Sequence, residues 1–256
     1  MIEILNKVTG AVLYRADVTT VVAAVEAAVK AGVSLSWARL AGVNLKDAYL
    51  AGANLAGANL AMAYLAGANL AGADLAGANL KGANLAEANL KDAYLAGAYL
   101  EGANLAGANL AGADLAGADL EGANLAGADL AGANFAEANL DKTREDFYAI
   151  LSSAHAEIPA LWKALLDGKV DGSAYEGECA CLVGTIAKAR GADYRAMSPN
   201  STRSAERWFF AIRRGDTPDN SAVSRLTVEW LREYAERESI ALPSRRVVWS
   251  DAGPVS

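Results

Sequence analysis

Between residues 31 and 140 the apolar and polar positions recur every five residues, through twenty-two consecutive units. Each unit ends in Leu, with Phe135 the single exception, and a typical one is Ala51-Gly-Ala-Asn-Leu55. Five residues of α-helix advance by roughly 140° net, which scatters successive leucines around every side. Five residues of unbroken strand reverse the face at each repeat, because side chains alternate with period two. Neither gives one continuous apolar surface; a bend inside every unit does. Ala53 and Leu55 then point inward from a short extended piece, Asn54 points outward, and Ala56-Gly57 makes the corner. Gly fills that second corner position in sixteen of the twenty-two units, as expected where a positive φ is needed. The inward residue two before Leu is Ala in twenty units, which predicts a narrow interior.

A chain that turns the same way at every corner winds into a solenoid whose stacked turns pair by backbone hydrogen bonds. The period alone leaves the number of units per turn open. The tandem Ala-Asn/Asp-Leu-X-X pattern resembles the pentapeptide repeat family. That resemblance implies a mainly β fold, a right-handed quadrilateral β-helix with four units per coil. The array then makes a rod of about five and a half coils, about 26 Å long at the usual strand spacing. Residues twenty apart would stack, so Lys81, Glu101 and Glu121 form one outward column, one contact attractive and one repulsive. Tyr49, Tyr64, Tyr94 and Tyr99 replace the outward Asn on four different faces, so they read as scattered surface residues rather than an aromatic stripe. The array is nearly a written-out consensus. Recent duplication or deliberate design would produce that, and design is the expectation adopted.

The flanks follow other patterns. Ile2-Glu3-Ile4 alternates, Thr9-Gly10 supplies a turn and Val12 to Tyr14 returns, which predicts a hairpin over residues 1–17. A helix is expected from about Thr19 to Ala31, capped by Thr19 or Asp17, with Val22, Val25 and Val29 on one face and Gly32 as its stop. Val33 and Val43, larger than the usual Ala, would sit beside it. An open solenoid end exposes backbone and core, so residues 1–32 are read as an N-terminal hairpin–helix cap. The β-helix follows over 33–140, an α-helical C-terminal domain over 141–241 and a tail over 242–256.

Five helices are expected in the C-terminal domain. The first opens on Thr143 and Asp146 as a capping box and carries Phe147, Ile150, Leu151 and Ala154. The second carries Ile158, Leu161, Trp162, Leu165 and Leu166 and ends at Gly168. The third runs from about Glu176 to Ala189 and the fourth from about Arg203 to Ile212. The fifth spans about Ser221 to Arg237, with Val223, Leu226, Trp230, Leu231 and Tyr234 inward. The run from Asp171 to Ala187 resembles a segment of the C-terminal domain in some bacterial and phage pentapeptide repeat proteins, which brings no agreed activity with it. Val247, Val248 and Trp249 give the tail apolar residues that could dock.

Composition narrows the function. A chain of 256 residues allows one or two domains. Outward Asn, Asp or Tyr interrupts nearly every unit, so no run of about 20 apolar residues exists to span a membrane. Glu3 and Lys7 flank only a short apolar segment at the start, which is not a signal-peptide pattern. Two cysteines in so long a chain give no disulfide framework and fit a reducing cytoplasm. The net charge of −7 is concentrated in the array, which has ten acids against four bases. No part carries the basic stripe of a nucleic-acid binder.

No catalytic, cofactor-binding or metal-binding residue is nominated, and no cofactor. Cys179 and Cys181, two apart, point roughly 200° apart on a helix and cannot share a metal there. His155 follows Ser152 and Ser153, but adjacency in sequence does not make a nucleophilic triad. Arg203, Arg207, Arg213 and Arg214 lie near Trp208, a combination that could hold a phosphate or a base, yet Glu206, Asp216 and Asp219 interleave with them.

The expected function is therefore a non-enzymatic, cytoplasmic structural scaffold, built on an engineered or consensus array. Its partner is an unknown protein or none, with a homodimer or a partner-binding module in the C-terminal domain, through Trp208 or Trp249, left open. The alternative comes from the family resemblance: some members bind DNA gyrase as acidic rods that imitate a duplex. Duplex DNA of that length carries about 15 negative charges. This array offers a net −6, with Lys46, Lys81 and Lys91 among the acids, and Asp74, Asp114, Asp119 and Asp129 are the residues such mimicry would use.

Overall fold

A five-residue bend can build a wall only if each turn finds backbone partners in the next. The computed structural model, which describes residues 1–172, 182–192 and 203–243, shows how it does so. Isolated parallel bridges join residues twenty apart in an unbroken series, from Arg39 with Asn59 to Asp119 with Asn139. Each turn of the solenoid therefore takes four units. One step of the ladder is Leu65 N–H donating to Asn84 O at 2.7 Å and Asn84 N–H donating back to Ala63 O at 2.9 Å. Two residues further on, Gly67 N–H donates to Ala86 O at 2.9 Å, so the corner is paired too.

The corner is a four-residue turn. Ala68 N–H donates to Leu65 O at 3.0 Å, and Gly67, third in the turn, has φ +68. That is the type II arrangement, which needs a positive φ at its third residue. Trp37, Asp47, Met62, Glu87, Asp92 and Glu137 hold the same corner at φ between 55 and 60 without being glycine. The first five share a consequence: each side chain leans over the corner glycine of the next turn. A Cβ on Gly57 would sit 2.9 Å from the Trp37 ring, and one on Gly82 2.5 Å from Met62 Sδ. Inward, the leucines from Leu35 to Leu130 and the alanines from Ala38 to Ala133 form one continuous buried column.

At the start of the chain β1 (Ile2–Leu5) pairs antiparallel with β2 (Val12–Ala16). The connection is organised by Asn6, whose Oδ1 accepts from the N–H groups of Val8 and Thr9. Helix α1 (Val21–Lys30) is capped by Thr20, which accepts from Ala23 N–H, rather than by Thr19 or Asp17. Its fully buried line is Ala24, Val25 and Ala28, while Val22 and Val29 are half-buried at the margins. Two hydrogen bonds join these elements to the rod: Arg39 N–H donates to Leu5 O at 2.8 Å, and Tyr49 N–H to Glu26 Oε1 at 2.9 Å.

After Leu140 come α2 (Asp141–Leu151), a 3-10 turn (His155–Glu157), α3 (Ile158–Leu166), α4 (Leu182–Arg190), α5 (Ser204–Phe209) and α6 (Ala222–Arg237). The capping box at Thr143 and Asp146 does not form. Helix α2 starts two residues earlier than Thr143, which is buried within it, and Asp146 Oδ2 accepts instead from Ala205 N–H at the start of α5. Ala154 lies beyond the end of α2, and α5 is shorter than the expected Arg203–Ile212. The expected third helix is seen as α4; its first part, including Cys179 and Cys181, lies outside the described residues. Ser221 caps α6 by accepting from Ser224 N–H. Gly172 has to be glycine for another reason: a Cβ there would fall 1.8 Å from Phe209 O.

Candidate functional site

The outward face of the rod is a regular surface, and its polar atoms are largely committed to the rod itself. In unit after unit the outward Asn or Asp turns its Oδ1 back to accept the N–H two residues on, as Asn59 does for Ala61 at 3.2 Å and Asp114 for Ala116 at 3.1 Å. The amide nitrogens add rungs between turns: Asn124 Nδ2 donates to Asn104 Oδ1 at 3.1 Å, and Asn104 Nδ2 to Asn84 Oδ1 at 3.3 Å. Sequence reasoning placed these residues outward but missed this role. The signal was available, since Asn and Asp are the residues that close such turns with their own side chains.

The exceptions are dispersed. Tyr49, Tyr64, Tyr94 and Tyr99 are exposed, and their bridges place them in four separate stacks. Tyr94 lies between Asp74 and Asp114 in one stack, Asp119 stacks on Tyr99, and Asp129 on Asn109. The acids thus occupy three stacks and make no row. Lys81 Nζ pairs with Glu101 Oε1 and stands 5.6 Å from the Tyr99 ring. Burial works against ionisation of Glu101, but the hydrogen bond from Lys81 prevails and holds its carboxyl below the usual value.

In the helical part, the sequence candidates turn out to be structural. His155 Nε2 is 2.9 Å from Tyr234 Oη, while Ser152 and Ser153 donate to the carbonyls of Ala149 and Ile150. The three do not converge. Arg213 N–H donates to Asp216 Oδ2, and its guanidinium lies 3.8 Å from Asp129 Oδ2. Trp208 cannot stack a base or anchor a partner as the sequence allowed, because it is buried, with its indole N–H donated to Thr227 Oγ1 at 2.8 Å. Trp249 lies outside the described residues. Among the described residues no cluster of His, Cys, Asp and Glu could hold a metal ion, and no helix is long and apolar enough to cross a membrane.

What the structure does bring together is the junction between rod and helices. Phe135, the one departure from Leu, meets Trp208 edge-on with ring centroids 5.9 Å apart. Trp208 in turn packs on Trp230, and Phe147 contacts both Phe209 and Trp230. A small cavity of about 80 Å³ also opens between the rod and the helical part, lined by Asp129, Leu130, Ala211, Arg213, Asp216 and Asn220 among others. Glu206, on α5 within this packing, is fully buried, and neither carboxylate oxygen has a hydrogen-bond partner among the described residues. Burial pushes its carboxyl up to about 7; Arg203 opposes the rise and Asp146 adds to it.

The period, the bridges twenty apart and the outward Asn agree with a comparison against known proteins. The sequence profile described as "Pentapeptide repeats" matches in eight copies, over residues 31–61, 63–102, 88–125 and 113–144. A solved pentapeptide repeat protein, alr5209 from Nostoc PCC 7120, is 40% identical; the match covers 41% of this chain and 83% of that one, with a TM-score of 0.34. The chain belongs to the pentapeptide repeat family. HetL, a pentapeptide repeat protein involved in heterocyst differentiation regulation in the cyanobacterium Nostoc sp. strain PCC 7120, is 38% identical. That match covers 43% of this chain, TM-score 0.32, and spans only 59% of HetL, less than two thirds of its length. A third, from the Arabidopsis thaliana thylakoid lumen, is 28% identical over 45% of this chain and 74% of its own, TM-score 0.29. No curated protein sequence matches. Pentapeptide repeat proteins fold as right-handed β-helices, and this member continues into α-helices.

Proposed function

We propose that this pentapeptide repeat protein is a non-enzymatic structural scaffold, a rod held between two end pieces. The observation that carries the reading is the fate of the outward Asn and Asp side chains. Their oxygens close the corner turns and their amides bridge successive turns, which leaves the rod little chemistry with which to recognise a ligand. In this reading the coil is quadrilateral and spans 33–140, residues 1–32 cap its start, residues 141–241 form the helical domain and 242–256 a tail. The array was written or duplicated from a consensus, and the protein works in the cytoplasm. It needs no cofactor and no nucleic acid. A partner protein or a second copy, where there is one, meets the helical domain rather than the rod.

The test is a DNA gyrase supercoiling assay with the protein titrated in. The scaffold reading expects no effect at a large excess over enzyme. Inhibition at low micromolar concentration overturns it in favour of duplex mimicry, with Asp74, Asp114, Asp119 and Asp129 as the residues to neutralise. The dispersal of those acids over three stacks supports the first outcome.

A further inference from the structure

Among the described residues, Glu206 is a buried carboxyl with neither oxygen hydrogen-bonded. It sits on α5, two residues before Trp208, the side chain that meets Phe135 on the last turn of the rod. A carboxylate placed in such surroundings without hydrogen bonds is costly, whereas its protonated form packs as a neutral group. We propose that Glu206 is a protonation-controlled latch: uncharged, it lets α5 close on α2 and hold Trp208 against Phe135, and ionised, it forces α5 outward and loosens the helical part from the rod.

The charged groups around it agree with this. From α2, Asp146 faces it and opposes its ionisation, while also accepting from Ala205 N–H one residue away. Arg203, just before α5, is the cation acting on it, and it is exposed. On α4, Lys188 is exposed and Arg190 is committed to Glu157 at 2.8 Å. The α6 side chains that reach Trp208, Thr227 and Trp230, carry no charge. Among the described residues Arg203 therefore offsets a Glu206 anion only in part, and burial outweighs it.

The sign follows from linkage. The folded value lies above the unfolded one, so the folded state keeps its proton across the interval between them. The stability it confers is complete below about 4.5 and is lost as pH rises through about 7. Over that rise the unfolding constant of the helical part increases by on the order of a hundredfold.

The experiment is urea unfolding of the full chain followed by tryptophan emission at several pH values from 5 to 8, on wild type, Glu206→Gln and Glu206→Met. Four of the five tryptophans lie after residue 140, so the signal reports chiefly on the helical part. Wild type is expected to lose urea resistance as pH rises, and whichever variant folds is expected to lose most of that slope. A flat wild type, or a folded variant with the wild-type slope, overturns the latch. Should neither variant fold, carbon NMR of the wild-type glutamate carboxyls decides: one group titrating near pH 7 supports the latch, and none doing so overturns it. A gyrase result in either direction leaves this outcome untouched.

Discussion

The rod and the helical part are both built around buried apolar side chains, but they distribute responsibility differently. In the rod, the inward Leu and Ala and the backbone rungs between Leu55 and Leu115 recur in kind twenty residues away. In the helical part, Trp208 has one indole partner, Thr227, and one edge-on partner, Phe135. A repeat array is stabilised by nearest-neighbour interfaces that can be exchanged for one another. A small helical core depends on side chains that occur once. The joint between the two is where a repeat position had to become unique, and Phe135 is that position.

Phe135→Ala is the sharpest way to break the comparison. It removes a buried ring from the junction, and the expected cost is about 3 kcal/mol. Phe135→Leu restores the repeat rule and keeps most of the volume, so about 1 kcal/mol is expected. Both losses should appear in the tryptophan-detected unfolding of the helices, while the β-type circular dichroism of the rod survives. An equal loss in both signals would mean that rod and helices unfold as one unit.

Much of the rod is legible in the sequence because its rules act within five residues. The inward Leu and Ala, the corner Gly and the outward Asn can each be read from one unit. What could not be read acts across the chain. Phe135 stood out as an exception, but its reason is Trp208 on α5. Asp146 looked like part of a local capping box, yet it serves α5, fifty-nine residues later. Glu206 looked like one more acid among surface arginines, and only the packing of α5 shows that it is buried. The candidate site was hidden for the same reason: a junction is a property of two segments, and neither announces the other.

Within the rod, the corners sharpen the comparison further, because they are equivalent by rule but not by neighbour. Gly57 and Gly77 both have positive φ, at 64 and 62, where an added side chain is strained. Gly77 has open space for a Cβ, whereas at Gly57 the Trp37 ring of the previous turn occupies it. Gly77→Ala should cost about 1 kcal/mol through backbone strain alone, and Gly57→Ala about 2 kcal/mol through strain plus the displaced ring. Thermal unfolding of the rod followed by circular dichroism measures both. Equal losses would show that Trp37 moves aside freely.

The smallest expected effect tests whether the outward ladder contributes energy or only order. Asn104 Oδ1 accepts from Ala106 N–H and from Asn124 Nδ2, and its own amide donates to Asn84. Asn104→Ala deletes all three contacts at a half-buried position where water can replace part of them, so about 1 kcal/mol is expected. Asn104→Asp keeps the corner turn and accepts from Asn124 as Asp114 does from Asn134 at 2.9 Å, losing only the bond to Asn84. Its cost should be about 0.5 kcal/mol, and less if the charge strengthens the remaining rung. If Asp proves as harmful as Ala in the same unfolding measurement, the amide rungs rather than the corner turns hold the outward Asn in place. The rod would then owe part of its stability to a zipper of side chains, closer to the singular contacts of the helices than its regular sequence implies.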